Sequence, residues 1–521
     1  MSTTQNPAVV IVGAGPVGLI AACELARRGV DIRIIDKLEK PTTESRAIAI
    51  HARSCDMLDR MGILDDLSAT GVKSTGMNMF ASGKKMFRVP LEGVASAFPY
   101  TLITAQTETE RVLTEHLIAL GVSVDRGVAL TGLTQDDDAV HLVLQRADGT
   151  TEQVDTSWVI GTDGGHSSVR HLVGTKLHGS FKGERFILGD VEVDPCFDNT
   201  NMYTYFHSDG PVVTLPMIGD RVRFLAQIHD TPGAPLNLNP TTEQLQKIID
   251  ERIGGVTITT SHWVTCFEIH HGQVPEYRWG RVFLAGDAAH IHSPAGGQGM
   301  NTGMQDAFNL CWKLAMVIKG DGGDSLLDSY DAERRPIGKS VIDFTSTLTK
   351  VGTLKGLARV ARNAAIRVVG HIPPALRFMA SNITETNIAY EGSPAVLAAT
   401  PRHPKVAPGQ HVPHIDDPDL DKQLGAAGGS NHTGHTVLTV AGNVAAPAAG
   451  PAGQTQVLIA ADGAPVGGYD VVVADPDGLV AKRFGLAEGG RVVVRPDGYL
   501  GAVTALDDRT GVADYFAQIA R

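Results

Sequence analysis

AVVIVGAGPVGLIAACELARRGVDIRIID, residues 8–36, holds a complete folding unit in one line. Its first five residues form a short apolar run rich in β-branched side chains, the pattern of a buried strand. GAGPVG follows, and VGLIAACELARRG then carries apolar residues at helical spacing as far as Gly29. A second apolar run, DIRII (31–35), ends in Asp36. Strand, tight turn, helix and strand in that order make the opening unit of a Rossmann-like α/β domain. The glycines have separate tasks: Gly13 permits the turn, Gly15 lets a pyrophosphate approach the backbone, and Gly18 lets the helix pack close to the strand. The helix N-terminus faces the phosphates, and Asp36 is placed to accept hydrogen bonds from a ribose. A dinucleotide site is predicted. The motif leaves FAD and a nicotinamide nucleotide both open.

The chain has 521 residues, too many for a single hydrophobic core, so two or three domains are expected. Its 45 Lys and Arg against 57 Asp and Glu give a formal charge of −12 without long basic runs, which argues against nucleic acid or an anionic membrane surface as partner. A small molecule is the better expectation. The five cysteines (Cys23, Cys55, Cys196, Cys266, Cys311) are widely spaced and include no CxxC, which suits a reducing cytoplasm. The start, MSTTQNPAVV, has no signal-peptide pattern, and no apolar stretch is long enough to span a bilayer.

Two later segments narrow the choice of cofactor. WVIGTDGGHSSVR (158–170) has a short apolar run, then Asp163-Gly164, Ser167 and Arg170; by turn chemistry alone it is a strand ending in a turn. Further on, RVFLAG (281–286) reads as a buried strand with Asp287 at its end, and NTGMQDAFNLCWKLAMVI has helical spacing. Between them stands GDAAHIHSPAGGQGMN. Asp287, His290 and His292 raise a metal site, but that reading leaves Gly296, Gly297 and Gly299 without a purpose. A carboxylate beyond a strand binds polyol hydroxyls, and a glycine-rich turn at a helix start offers N–H groups to an electron-rich ring or its anion. The glycines are therefore read as the chemistry and the histidines as incidental, with no metal.

GAGPVG, GTDGGHSSVR and GDAAHIHSPAGGQGMN, in this order and spacing, resemble the class A flavoprotein monooxygenases, the para-hydroxybenzoate hydroxylase and phenol hydroxylase family, over roughly residues 5–350. The resemblance implies bound FAD, with NADPH or NADH as a transient reductant and O₂ captured as a flavin C4a-hydroperoxide. Its oxygen would pass to a phenolic or polycyclic aromatic substrate. Carried over, Gly13, Gly15, Gly18 and Asp36 hold the ADP half of FAD, Asp287 binds the ribityl chain, and Pro294, Gly297, Gly299, Met300 and Asn301 pass along the isoalloxazine. Arg46 in SRAIAIHARS and Gln106 in ITAQTETERVL match flavin-contacting residues, and Asp163 falls in a motif serving both FAD and NAD(P)H. For Arg46, an ordinary surface arginine is the competing reading.

The fold class is α/β: a Rossmann-like FAD-binding domain (1–75, 104–178 and 281–350), a β-sheet substrate domain (76–103 and 179–280), a helical linker (351–400) and a thioredoxin-like C-terminal domain (401–521). Short alternating runs from 179 to 279, separated by turn signals such as SDG, suggest an antiparallel sheet. Tyr203, Tyr205 and His207 alternate along one strand and share a face. Tyr205, His207 and Arg223 are candidates to contact a phenol, and ordinary sheet packing is the alternative; with Arg46 and Pro294 they make up the catalytic candidates. DSLLDSYDAERRPIGKSVIDFTSTLTKV reads as helix interrupted at Pro336. The C-terminal region resembles the domain that phenol-hydroxylase relatives and polyketide-tailoring hydroxylases add; it has no cysteine, so it performs no thiol exchange. A packing or dimer role is expected, in a monomer or homodimer. Trp158, Trp263, Trp279 and Trp312 all stand alone, so the WxWxIP signature of flavin halogenases is absent. Oxygen insertion into a non-aromatic ring, inactivation of an aromatic antibiotic and non-catalytic FAD binding stay open.

Overall fold

Val9–Val12 is a strand with every residue buried, and a strand without an exposed face belongs inside a sheet covered on both sides. It lies between Trp158–Gly161 and Ile32–Asp36, both parallel to it. Val282–Leu284 and Asp125–Arg126 extend the sheet in parallel on either side, and Arg278–Trp279 adds an antiparallel edge. The computed structural model describes residues 6–228, 240–293, 296–352, 354, 356–400, 404–428, 433–441, 446–448, 450 and 453–521.

The first turn is as tight as its glycines suggest. Gly13 has φ +103°, and a Cβ there would stand 2.7 Å from the Thr162 carbonyl oxygen. A Cβ on Gly18 would overlap the Gly13 carbonyl oxygen, whereas one on Gly15 meets nothing within 4 Å. Pro16 opens the helix Pro16–Arg27, where its missing N–H is no loss. The Thr162 hydroxyl, 2.9 Å from the carbonyls of both Val12 and Gly13, clips this turn to the neighbouring strand end.

The second sheet has eight strands, ordered His290–Ile291, Thr257–Gln273, His178–Asp194, Arg221–Ile228, Val212–Pro216, Asn201–Phe206, Gly76–Ala81 and Lys84–Pro90. It is antiparallel except where Asn201–Phe206 runs parallel to Gly76–Ala81. One face packs on the helix Thr242–Arg252 through Val191, Val212, Phe224, Leu245 and Ile249. The other turns toward the dinucleotide domain and carries Phe186, Leu188 and Leu225, flanked by Val213, Trp263 and Phe267.

The expected break at Pro336 does not occur: one helix runs Asp324–Gly352 with the proline inside it. Proline removes one backbone bond, but Tyr330, Glu333 and Arg334 before it and Val341 and Thr345 after it are all buried, and that packing holds the helix together. The helices Gly356–Val369 and Pro373–Ile383 follow. The C-terminal unit is a five-stranded mixed sheet, ordered Val471–Ala474, Thr455–Ala460, Thr436–Val440, Gly490–Val494 and Leu500–Ala505. Its final helix, Gly511–Ile519, joins a shared core with Trp312 and Leu326 of the dinucleotide domain.

Gly18→Ala should lower the unfolding free energy by ~1–3 kcal/mol through overpacking, while Gly15→Ala should stay within ~0.5 kcal/mol of wild type. Urea denaturation of the two variants decides; equal losses would contradict the close approach seen only at Gly18.

Candidate active site

A cleft of about 430 Å³ opens at the strand ends of the parallel sheet, and Gly13, Gly15, Asp36, Arg46, Gln106 and Asp163 all line it. Residues spread over 150 positions of sequence thus meet in one cavity, because parallel strands present their C-terminal ends on the same side. The Pro16–Arg27 helix starts here without a side-chain cap, so its N–H groups face the cleft uncovered. The Asp36 carboxylate is aimed by two backbone bonds, from Ala14 N at 2.7 Å and Leu38 N at 2.8 Å. An uncapped helix start, a glycine that leaves open space and an oriented carboxylate are the donor set of a dinucleotide pyrophosphate and ribose, and the cleft fits FAD on these grounds.

Asp163 accepts from the Ser167 hydroxyl at 2.5 Å and from Ser168 N at 2.6 Å, so it folds the DGG turn onto the short helix that follows. From that helix Arg170 donates to the Ala288 carbonyl at 3.0 Å. The second and third sequence motifs are therefore joined directly. Asp287 stands in a single 3₁₀ turn after the strand Val282–Leu284. Asp287 is exposed; desolvation by the protein packed around its carboxyl raises its pKa above the ordinary carboxylate value, and His290, Arg46 and Arg170 pull it back.

The glycine loop is held from below. Asn301, fully buried, accepts from His51 N at 2.8 Å and donates to the carbonyls of Ala49 and Gly297, each at 2.9 Å. His51 Nε2 reaches the Gly296 carbonyl at 2.8 Å and its Nδ1 lies 3.1 Å from the Thr101 hydroxyl. Gly297, at φ +67°, sits against the Ala49 methyl. Gly299 begins the helix Gly299–Lys319, whose N-terminus also lacks a side-chain cap, and Met300 packs half-buried on the domain core. Pro294 lies outside the described residues. His290 is not incidental: its Nε2 meets Asp306 at 2.7 Å, and Asp306 also takes Gly286 N at 3.1 Å and Arg334 Nε at 2.7 Å. His51, Asp306 and Arg334 escaped the sequence reading. His51 stands within the quoted SRAIAIHARS, but its partner is 245 residues away, and no spacing rule reaches that far.

Arg46 is 73% exposed and pairs only with exposed Glu44 among the described residues, a contact weak enough for the guanidinium to move. Gln106 takes Ala47 N at 3.2 Å and so ties the Arg46 segment to the helix Gln106–Ala119. Arg223 has a different task from the one expected. It is buried and grips Asp190 with two bonds of 2.6 Å each while its third nitrogen donates to the Arg46 carbonyl at 3.1 Å, so it holds the Arg46 segment against the sheet. Tyr205 and His207 also depart from expectation. Tyr205 stacks on Phe80 at 4.9 Å and packs with Phe197 and the Thr242–Arg252 helix, on the opposite face from Arg223. His207 lies beyond the strand end, where its Nδ1 accepts from Asp209 N at 3.2 Å.

Burial lowers the pKa of both His51 and His292 to about 4. Both rings are thus held neutral in the folded state, while the unfolded chain takes up protons as soon as the pH falls below about 6.5. Stability is therefore unaffected above that pH, declines as pH falls from 6.5 toward 4, and levels off below. His51→Gln, which keeps an N–H for the Gly296 carbonyl but does not titrate, should flatten part of that decline in urea unfolding midpoints; an unchanged slope would contradict the assignment.

Comparison with known proteins places this geometry. Residues 6–345 match the family described as FAD binding domain, and 470–521 match the phenol hydroxylase C-terminal dimerisation domain. The chain is 34% identical to a 6-methylpretetramide 4-monooxygenase of Streptomyces rimosus, over 96% of this chain and 91% of that one. It is 38% identical to a pentachlorophenol 4-monooxygenase of Sphingobium chlorophenolicum, over 68% and 67%. Among solved structures, the anhydrotetracycline hydroxylase OxyS of Streptomyces rimosus superposes with a TM-score of 0.75 at 28% identity, covering 99% of both chains. The chain belongs to the class A flavoprotein monooxygenases, enzymes that hold FAD and consume NAD(P)H and O₂.

Proposed function

We propose that the protein hydroxylates a phenolic or polycyclic aromatic compound. The observation that carries this reading is an apolar cluster, half of it aromatic, of buried Phe186, Leu188 and Leu225 with half-buried Val213, Trp263 and Phe267, on the sheet face that also bears Arg223 and its bond to the Arg46 segment. The half-buried Trp263 and Phe267 rings would give a flat ring system an apolar partner. Relatives named for a pretetramide and for a chlorophenol support the substrate class.

FAD, when bound and reduced by NAD(P)H, would supply the activation of O₂, one atom of which enters the ring while the other leaves as water. This chain's residues supply position and charge. Gly13, Gly15 and the helix start at Pro16 would receive the pyrophosphate, Gly18 would keep that helix close, and Asp36 would take the ribose. Asp287 would meet the ribityl hydroxyls. The N–H groups opening the Gly299–Lys319 helix, steadied by Asn301 and His51, would face the flavin's polar edge and favour negative charge there. Arg46, long and exposed, would close over the ring, with Gln106 and Arg223 fixing its backbone. The aromatic patch would exclude water from the reacting carbon. NADPH or NADH would serve as the reductant.

The C-terminal unit has three parallel strands followed by an antiparallel pair with helices alongside, and is read as thioredoxin-like. The phenol hydroxylase dimerisation match supports a homodimer. A reducing cytoplasm fits the five cysteines, all free.

The decisive experiment follows NADPH oxidation in air by the purified yellow protein with phenols and polycyclic aromatics, measuring H₂O₂ and product mass together. Stimulation by one compound, little peroxide and a product heavier by one oxygen are expected; a flavoprotein stimulated by no aromatic compound would sink the reading. In the same assay Trp263→Ala should raise KM about tenfold or more and increase the H₂O₂ share while FAD affinity stays at the wild-type value. Gly15→Ala should do the reverse, weakening FAD binding in a fold of normal stability.

A further inference from the structure

The sequence segments AERRP (332–336) and RPDGY (495–499) belong to different domains, yet they meet in the interior. Three cations, Lys313, Arg334 and Arg495, and three carboxylates, Asp306, Glu333 and Asp497, are all buried there. Arg495 reaches both oxygens of Glu333, at 2.7 and 2.9 Å, and holds Asp497 within its own turn. Asp497 in return accepts from Trp312 Nε1 at 3.0 Å and Asn309 Nδ2 at 3.2 Å. Lys313 donates to Glu333 at 2.8 Å. Asn309, Trp312 and Lys313 all lie on the Gly299–Lys319 helix, whose first turn forms the flavin edge of the site.

The same turn reaches the other support of that loop. The Arg53 guanidinium lies 5.9 Å from the Tyr499 ring centroid, and Arg53 belongs to the helix Ala52–Arg60 that directly follows His51. Tyr499 also packs at 4.2 Å on Tyr390, whose hydroxyl accepts from Arg334 at 3.0 Å. Arg334 continues to Asp306 at 2.7 Å and to the Thr302 carbonyl at 3.1 Å, one residue from Asn301. The Arg495 and Asp497 side-chain bonds that leave the turn thus end on the Gly299–Lys319 helix or on Glu333 of the long helix, while the Gly498 carbonyl accepts from Val412 N within the C-terminal unit.

We propose that the Arg495–Tyr499 turn of the C-terminal domain is a positioning element of the flavin site, fixing the Gly299–Lys319 helix and the His51 segment against each other so that the cofactor cradle is complete only with that domain docked. The inference rests on FAD occupying the cleft. Arg495 touches neither cofactor nor substrate; it acts through Glu333, Asp497 and the helix. Removing it leaves two buried carboxylates short of a cation, and the helix is the element both of them grip.

The test compares full-length wild type, Arg495→Met and Arg495→Lys in FAD titration, visible circular dichroism of the bound flavin, flavin midpoint potential and thermal unfolding. Arg495→Met should weaken FAD binding by at least about tenfold, as loss of an outer partner does at metal sites, and should change the flavin dichroism and potential, with partial recovery in Arg495→Lys. Should Arg495→Met fail to fold, Trp312→Phe, which removes one bond to Asp497 and keeps every charge, should move the same readouts in the same direction by less. A variant that melts earlier but binds FAD with unchanged affinity, dichroism and potential would overturn the proposal and leave the turn as a stability contact. A wild-type chain that takes up no FAD would overturn the cofactor assignment itself, and this inference with it.

Discussion

The Asp306 carboxylate is fully buried, and a charge there is tolerable only when its oxygens are paired. Its partners come from three places: Gly286 N from the end of a sheet strand, His290 from the strand that crosses into the second sheet, and Arg334 from the long helix. One side chain therefore locks together the parallel sheet, the substrate sheet and the helical layer behind the glycine loop. Any shift of that loop relative to the sheets would strip a partner from a buried charge, so the loop is positioned by electrostatic necessity as much as by packing. Nearby pairs such as Lys313–Glu333 follow the same rule and spread the constraint along the helix.

How much of this was legible in the sequence depended on range. In GAGPVG the turn at Gly13 and the close packing at Gly18 were legible because both constraints are local: a positive φ at Gly13, and a close approach at Gly18 between residues five apart. The strand ends at Asp163 and Asp287 were legible for the same reason. The supports of the loop were not, since His51 meets Gly296 and Asn301 meets Ala49 across some 250 residues, and nothing in either segment's own pattern encodes the other. Pro336 misled because local preference was overruled by burial on both sides of it.

The tyrosines show a subtler limit. Alternation rightly put Tyr203 and Tyr205 on one face, and their rings lie 6.5 Å apart, nearly parallel. Alternation carries no information about which face turns toward the dinucleotide domain. That choice is made by the register of eight strands and by the helix Thr242–Arg252, which covers the tyrosine side. The face left over bears Arg223, and burying a guanidinium there required a bidentate carboxylate, Asp190, directly opposite it on the neighbouring strand but 33 residues away in sequence.

Helix starts offer the last contrast. Thr241 closes its helix with a reciprocal capping box, and Ser167 caps the helix after Asp163. Pro16–Arg27, which begins at the cleft, and Gly299–Lys319, which begins at the glycine loop, have no side-chain cap. A serine or aspartate at Gly15 or Gln298 would satisfy those N–H groups and add stability of the usual ~1 kcal/mol. It would also fill the space and quench the positive helix ends that an anionic or electron-rich ligand needs. Uncapped starts occur elsewhere too, at Ala52–Arg60 and Gly511–Ile519 among others; what marks the glycine-loop start is the dense pairing just beneath it, around Asp306, Asn301 and His51. Open donors on a rigid floor are what a site must have if its ligand, and not the protein, is to complete the hydrogen bonding.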